Sequence, residues 1–193
     1  MSAFNIQPEA TYFIDSAWTE TRVWAKNCPY TRRKKVWNRS VLLYMRISNF
    51  CSNAVDGWVF VQTLDTNIWL YAFIQSQNAK KNEIARVIIK ECEIVISTQI
   101  INEMCVNLIK KVGFSEIEIQ NLVASLYRKY TVFELSQDIL VKASKIRTNN
   151  SFSFWDSIVA ASALDCDAEY LISEDMQDGF LLENSLKIIN PFA

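Results

Sequence analysis

The sequence predicts an α/β sandwich with a mostly parallel, five-stranded sheet. From Val59 onward, short apolar or β-branched runs alternate with longer segments of helical periodicity, a pattern typical of strands joined by helical crossovers. The chain has 193 residues, half of them hydrophobic, which is enough to bury one core. Charged and polar residues interrupt every apolar stretch before the roughly 18 residues that a transmembrane helix needs, so we expect no membrane span.

The first part of this region predicts two strands separated by two helices. The runs VFVQTL (59–64) and EIVIST (93–98) are rich in β-branched residues and are predicted as strands. Between them, IWLYAFIQSQ (68–77) and KNEIARVIIKEC (81–92) have helical spacing.

Two further helices are predicted after the second strand. Thr98 is available as the N-cap of the first, and Ser115 and Glu118 fit a capping box at the start of the second. Apolar residues recur at helical spacing in the first of these helices: Ile100, Ile101, Met104 and Leu108.

The last third of the chain predicts the remaining three strands. TVFEL (131–135) is followed by a helix from about Gln137 to Arg147, and FSFWDSIVAASAL (152–164) is also helix-patterned. EYLIS (169–173) and LKIIN (186–190) are predicted as the fourth and fifth strands.

Residues 1–58 differ from the regular region (59–193) in pattern and charge. Residues 1–57 carry eight Lys/Arg against four Asp/Glu, whereas the rest of the chain carries twelve against seventeen. The segment CPYTRRKKVWNRS (28–40) mixes basic and aromatic residues, which is compatible with nucleic-acid binding but more simply with a solvated, poorly ordered extension. Alternatively, translation starts at Met45 or Val59, and the extension is a start-site artefact.

The residue types exclude several kinds of catalysis. There is no histidine, so Ser-His and Cys-His nucleophiles and histidine-based RNA cleavage are ruled out, and hydrolysis would depend on carboxylates and a metal. The cysteines occur singly, without CxxC pairs, and we interpret them as reduced thiols in a cytoplasmic protein. They are Cys28, Cys51, Cys92, Cys105 and Cys166.

Four acidic residues stand out by their positions. Asp65 and Asp175 follow predicted strands, and Glu103 lies in the helix after the second strand. Ligands of open α/β sheets bind beyond the carboxyl ends of the strands, where these groups would converge. Asp156 lies in an apolar helical segment, where an ionised group is costly unless a cation or hydrogen-bond donors compensate it. We therefore expect a metal ion beside it.

The segments around these acids resemble the four acidic motifs of the PIN-domain ribonucleases, and most closely those of VapC-type toxins. The resemblance covers about residues 59–193, and its specificity comes from the order and spacing of all four motifs together. They are LDTNIWLYA (64–72), ISTQIINEM (96–104), FSFWDSIVAASAL (152–164) and LISEDMQDG (171–179).

The resemblance implies a three-layer fold, with a central parallel sheet between helices, and metal-dependent RNA cleavage. It assigns catalysis and metal binding to four residues: Asp65, Glu103, Asp156 and Asp175. It gives supporting roles to three neighbours: Thr66, Asn67 and Asp178. Glu174 adjoins Asp175 in the same motif, and Asp175 is the residue that matches the family position.

Carboxylate oxygens favour Mg²⁺, with Mn²⁺ as a possible substitute. Such an ion activates water and stabilises charge on a phosphodiester, so we expect an endoribonuclease that hydrolyses RNA. The resemblance further implies a toxin held inactive by a cognate antitoxin, and a homodimer. The alternatives are an RNA-processing nuclease without an antitoxin and a catalytically silent binding scaffold.

Aromatic and basic residues near the motifs have two interpretations each. Trp155 could stack on a base, but an aromatic residue in an apolar helix is more simply part of the core. Trp69 and Tyr71 could pack inside or form a dimer face. Seven basic residues could follow phosphates, although each is more simply a solvated charge: Lys80, Lys81, Lys110, Lys111, Arg128, Lys129 and Arg147.

Overall fold

The computed structural model describes residues 61–74 and 78–193. The extension over residues 1–58, with its two possible origins, lies outside the described residues, as do Val59 and Phe60 of the first predicted strand. No helix in the described ranges has the length and apolar character that a bilayer crossing requires.

Strands and helices alternate in the predicted order. The first half contains β1 (Val61–Leu64), α1 (Thr66–Phe73), α2 (Ala79–Glu91), β2 (Glu93–Ser97) and α3 (Thr98–Asn107), which continues as a π-helical turn over Leu108–Val112. The second half contains α4 (Glu116–Lys129), β3 (Thr131–Phe133), α5 (Gln137–Asn150), α6 (Phe154–Asp165), β4 (Tyr170–Ile172), β5 (Leu181–Leu182) and β6 (Leu186–Ile189).

The strands form one mostly parallel sheet in the order β3-β2-β1-β4-β6-β5, flanked by helices. Gln62 of β1 is in register with Ile94 of β2 on one side and with Tyr170 of β4 on the other. These three strands run in the same direction, so their carboxyl ends meet at one edge of the sheet. The predicted α/β fold is confirmed.

The sheet has six strands in the described region, so the prediction of five was wrong by one. The additional strand β5 has two residues and pairs antiparallel with β6. Glu183, Asn184 and Ser185 join them, and the first two have φ in the left-handed region (49° and 57°), as in a tight hairpin turn. Two residues are too few to show a strand periodicity, which is why the sequence did not reveal β5.

Polar side chains form the N-caps of the helices, and the N-cap of α3 differs from the prediction. Ser115 and Glu118 form the expected capping box on α4. The N-cap of α3 is Ser97, whose Oγ accepts from Ile100 N, rather than Thr98. The Thr98 hydroxyl instead accepts from Leu135 N, 3.4 Å away, and so ties α3 to the segment after β3.

The core lies between the sheet and its helices, and it contains Trp69, for which the sequence left a core position and a dimer face open. Trp69 is fully buried and makes an edge contact with Tyr130, with ring centroids 5.2 Å apart, so it belongs to the core rather than to a dimer face. Cys105 and Cys166 are free thiols, as expected, whereas Cys92 is disulfide-bonded. The expectation of reduced cysteines was therefore wrong for Cys92.

Candidate active site

Asp65 lies at the carboxyl end of β1 and is the N-cap of α1. Its Oδ1 accepts from Thr66 N at 2.7 Å, and its Oδ2 accepts from Ser173 Oγ at 2.7 Å. Its own backbone N–H donates to Ile172 O, which fixes it against β4. Only 8 % of the residue is exposed, so the carboxylate is held in one orientation at the centre of the sheet edge.

Glu103, on α3, is joined to Asp65 through Thr66. The Thr66 hydroxyl donates to Glu103 Oε2 at 2.6 Å, and Gln99 Nε2 donates to Glu103 Oε1 at 2.9 Å. Thr66 follows Asp65 directly in the chain, so one short segment contacts both carboxylates. The glutamate is partly buried and has both oxygens engaged.

Asp175 reaches the same edge through two hydrogen bonds. Asn67 Nδ2 donates to its Oδ2 at 2.5 Å, and its backbone N–H donates to Ser173 Oγ at 3.2 Å. Ser173 therefore connects Asp65 to Asp175: its hydroxyl donates to the first and accepts from the second. Asp175 itself is exposed to solvent.

Asp156 is at the third position of α6, where its N–H donates to the N-cap Ser153. Its side chain is partly buried, and its charge acts on Asp65. The pKa of Asp65 is raised to about 6, chiefly by burial and to a smaller extent by the charges of Asp156 and Asp175. Hydrogen bonds from Ser173 and Thr66 oppose this increase. Asp156 thus lies within electrostatic reach of Asp65.

Glu174 and Asp178, the other two acids of this loop, have different partners. Glu174 accepts from Tyr71 Oη at 2.7 Å and forms an ion pair with Lys81. Because Lys81 neutralises Glu174, Asp175 is the better candidate for the fourth acidic position. Asp178 accepts from the backbone N–H of Asn190 at 2.8 Å, so its observed contact is to the C-terminal segment.

Sequence reasoning did not identify Ser173 as part of the site. Its hydroxyl is fully buried and contacts Asp65 and the N–H groups of Asp175 and Met176. The available signal is a serine at the end of an apolar strand, two residues before Asp175 in the same motif. Ordinary loops often have a serine at such a position. Only the three-dimensional contacts distinguish a serine that orients the site from an ordinary loop serine.

The donor chemistry of this edge fits a hard divalent cation. Within residues 61–74 and 78–193, no three acidic, cysteine or histidine side chains converge into a ready-made ion cage. Mg²⁺ is usually held by one or two carboxylates and keeps several waters, so such a cage is not required. Burial and like charges both disfavour ionised Asp65, and a cation would offset both effects. Asp65, Glu103, Asp156 and Asp175 are the residues that could hold it.

The molecule is an α/β domain with acidic residues at one edge of its parallel sheet. Its family follows from sequence similarity. The sequence profile of the PIN domain matches residues 63–177, which is more than half of the chain. The chain therefore belongs to the PIN-domain family. No curated protein sequence is significantly similar to it.

Solved structures with a similar fold include toxin–antitoxin proteins. A toxin–antitoxin complex from Klebsiella pneumoniae has 21% identity and a TM-score of 0.52, covering 68% of this chain and 98% of its own. Mycobacterium tuberculosis VapC20, a Sarcin-Ricin loop cleaving toxin, has 15% identity and a TM-score of 0.46, with coverages of 57% and 86%. VapBC2 from Rickettsia felis, bound to a promoter DNA fragment, has 18% identity and a TM-score of 0.47, with coverages of 67% and 99%. At these identities the similarity is one of fold.

Proposed function

We propose that this chain is a metal-dependent endoribonuclease that hydrolyses RNA phosphodiester bonds and acts as the toxin of a toxin–antitoxin pair. The observation that carries the proposal is the hydrogen-bond network at the sheet edge. In it, Thr66, Asn67 and Ser173 join acidic side chains from separate elements. Such an arrangement is unfavourable in a purely structural role, because it brings like charges together around a buried carboxylate.

In this proposal Asp65, Glu103, Asp156 and Asp175 hold Mg²⁺, with Mn²⁺ as a substitute. When bound, the ion supplies activation of water and stabilisation of charge on the phosphate. The remaining residues orient the carboxylates: Thr66 holds Glu103, Asn67 holds Asp175 and Ser173 holds Asp65. Since the chain lacks histidine, carboxylates and water would carry the protons of the reaction.

A cognate antitoxin is the second part of the proposal. The Klebsiella pneumoniae structure with the same fold is a toxin–antitoxin complex, which supports an inhibitory protein partner for this chain as well. We extend the proposal to a homodimer that acts in the cytoplasm, where RNA and a co-expressed antitoxin would be encountered.

The test compares Asp65→Asn with Asp167→Asn, a control with the same chemical change at an exposed aspartate. Purified wild type and Asp167→Asn should cut cellular RNA in Mg²⁺ or Mn²⁺ and inhibit growth when induced. Asp65→Asn should lose about a hundredfold of the cleavage rate, because it removes one of the carboxylates that would hold the ion. Full cleavage by Asp65→Asn would refute the assignment.

Two other outcomes would favour the alternative functions. A wild-type protein that binds RNA in Mn²⁺ but cuts none of it would indicate a silent scaffold. A nuclease whose activity and toxicity are unaffected by every small protein encoded beside it would indicate RNA processing without an antitoxin.

A further inference from the structure

We propose that Trp155 and Phe154, backed by Arg147, form a stacking platform that holds an unpaired nucleobase of the RNA beside the acidic residues. The proposal deepens, and rests on, the ribonuclease function proposed above. The two aromatic residues directly precede Asp156 in the first turn of α6. They are 54 % (Phe154) and 53 % (Trp155) exposed, so the core interpretation of Trp155 is wrong.

The exposed rings form one ordered surface with a cation. The ring centroids of Phe154 and Trp155 lie 5.0 Å apart, with the ring planes at 88°. The Arg147 guanidinium carbon lies 4.7 Å from the centroid of the Phe154 ring. Arg147 is therefore not a freely solvated charge, which was the simpler interpretation of the sequence.

Hydrogen bonds fix this surface to the helix that carries Asp156. Arg147 Nη1 donates to Ser157 Oγ at 2.7 Å, and the same hydroxyl donates to Phe154 O at 2.7 Å. Ser157 is fully buried, so the anchor is inside the protein while the rings remain outside. One rigid turn thus carries both the aromatic pair and Asp156.

The rings are not needed for the packing of α6. The helix buries Ile158, Val159 and the small residues that follow, while both aromatic side chains at its start remain half in water. Exposed aromatic side chains beside a polar site are a feature of ligand recognition more than of stability.

The chemistry favours a nucleobase as the occupant. Every base has a π-face, and single-stranded RNA is commonly held by aromatic rings and arginine guanidinium groups. Arg147 adds a positive charge beside rings that would otherwise offer only apolar contact, and RNA carries the complementary charge on its phosphates.

The test measures binding and cleavage of a fluorescein-labelled, unstructured oligoribonucleotide of mixed sequence. Binding is measured in the Asp65→Asn background, and kcat and KM are measured in the active protein. Base stacking is worth about 1–3 kcal/mol, so Trp155→Ala should weaken binding and raise KM by about 5-fold to 150-fold. We expect kcat and Tm to change little, and Trp155→Phe to restore most of the affinity.

The matched control is Tyr127→Ala, which removes an aromatic side chain of similar exposure from α4. It should leave binding and KM unchanged. Equal effects of Tyr127→Ala and Trp155→Ala would overturn the platform. The platform would also be overturned if Trp155→Ala left RNA binding and KM unchanged. This includes the case in which Trp155→Ala weakens only the binding of a protein antitoxin.

The outcomes separate the platform from the proposed function. If the wild type cuts RNA and Trp155→Ala behaves identically, only the platform fails. If the wild type binds the oligoribonucleotide without cutting it and Trp155→Ala weakens binding, the platform stands and the nuclease function fails. A wild type that neither binds nor cuts RNA would overturn both.

Discussion

Asp65 joins the architecture of the domain to its proposed chemistry. It ends β1, caps α1 and accepts from Ser173, all with a carboxylate that is almost completely buried. A neutral asparagine cap would still accept from Thr66 N at lower electrostatic cost, although its amide nitrogen could not accept from the Ser173 hydroxyl. The charge at this position is therefore better explained by ion binding than by folding.

The raised pKa of Asp65 predicts a pH-dependent stability in the metal-free protein. The Asp65 carboxyl has a pKa of about 6 in the folded protein and an ordinary value of 3.8, so the folded state binds this proton more tightly than the unfolded state does. The free energy of unfolding should therefore decline as pH rises from about 4 to 6, by about 3 kcal/mol in total.

Urea denaturation in EDTA at several pH values measures this effect. Over that range, the free energy of unfolding of the wild type should fall relative to that of Asp65→Asn. Parallel pH profiles for the two proteins would show that Asp65 titrates normally.

Ser173→Ala should disturb the site through its hydrogen bonds. The change removes the donor to Asp65 Oδ2 and leaves a buried carboxylate less compensated, which costs about 1–3 kcal/mol. The rate of RNA cleavage by Ser173→Ala should fall as well. Ser185→Ala is the control, because Ser185 is an exposed serine on the nearby hairpin turn. Equal unfolding free energies for the two variants would show that the Ser173 contact carries no energy.

Sequence reasoning located the acids but not the residues that orient them. Charged groups at strand ends are recognisable because their position has a cost, and their order along the chain follows the family motifs. Ser173 is small and uncharged, and its role depends on a contact with Asp65, 108 positions away in the sequence. The exposure of Trp155 was missed for a related reason: its helix is apolar, but its first turn projects beyond the core.

At the scale of elements, helix starts place the acidic side chains. Ser153 accepts from Asp156 N and begins α6, whereas Ser136 accepts from Ile139 N and begins α5. The capping pattern was predictable in α4, where serine and glutamate occur at the required spacing. It was predicted one residue late in α3, because Ser97 and Thr98 are both good caps and only the backbone direction distinguishes them.

This pair of caps gives a matched prediction. Ser153→Ala and Ser136→Ala should each lower the free energy of unfolding by about 1 kcal/mol, since each removes one capping bond. Only Ser153→Ala should also slow RNA cleavage, because it loosens the turn that carries Asp156 and the aromatic pair. Equal cleavage rates in the two variants would show that the Ser153 cap of α6 does not contribute to RNA cleavage.

At the scale of the whole molecule, the parallel sheet brings distant parts of the chain together. Asp65 and Ser173 are 108 residues apart in sequence but touch, because β1 and β4 are neighbours. Alternating strand and helix patterns were enough to predict the succession of elements along the chain, but not which strands are neighbours in the sheet. They did not predict β5, whose two residues depend on pairing with β6 rather than on their own periodicity.

The central claim is that acids from separate elements form one binding site for a divalent ion. Its most direct test is thermal unfolding of the wild type and of four amide variants, Asp65→Asn, Glu103→Gln, Asp156→Asn and Asp175→Asn, with and without Mn²⁺. An ion that binds only the folded state stabilises it by about 2.7 kcal/mol at a concentration 100 times Kd. We predict that Mn²⁺ raises the Tm of the wild type and that every variant reduces this increase. A wild-type Tm that does not respond to millimolar Mn²⁺, or an increase that all four variants retain, would contradict the claim.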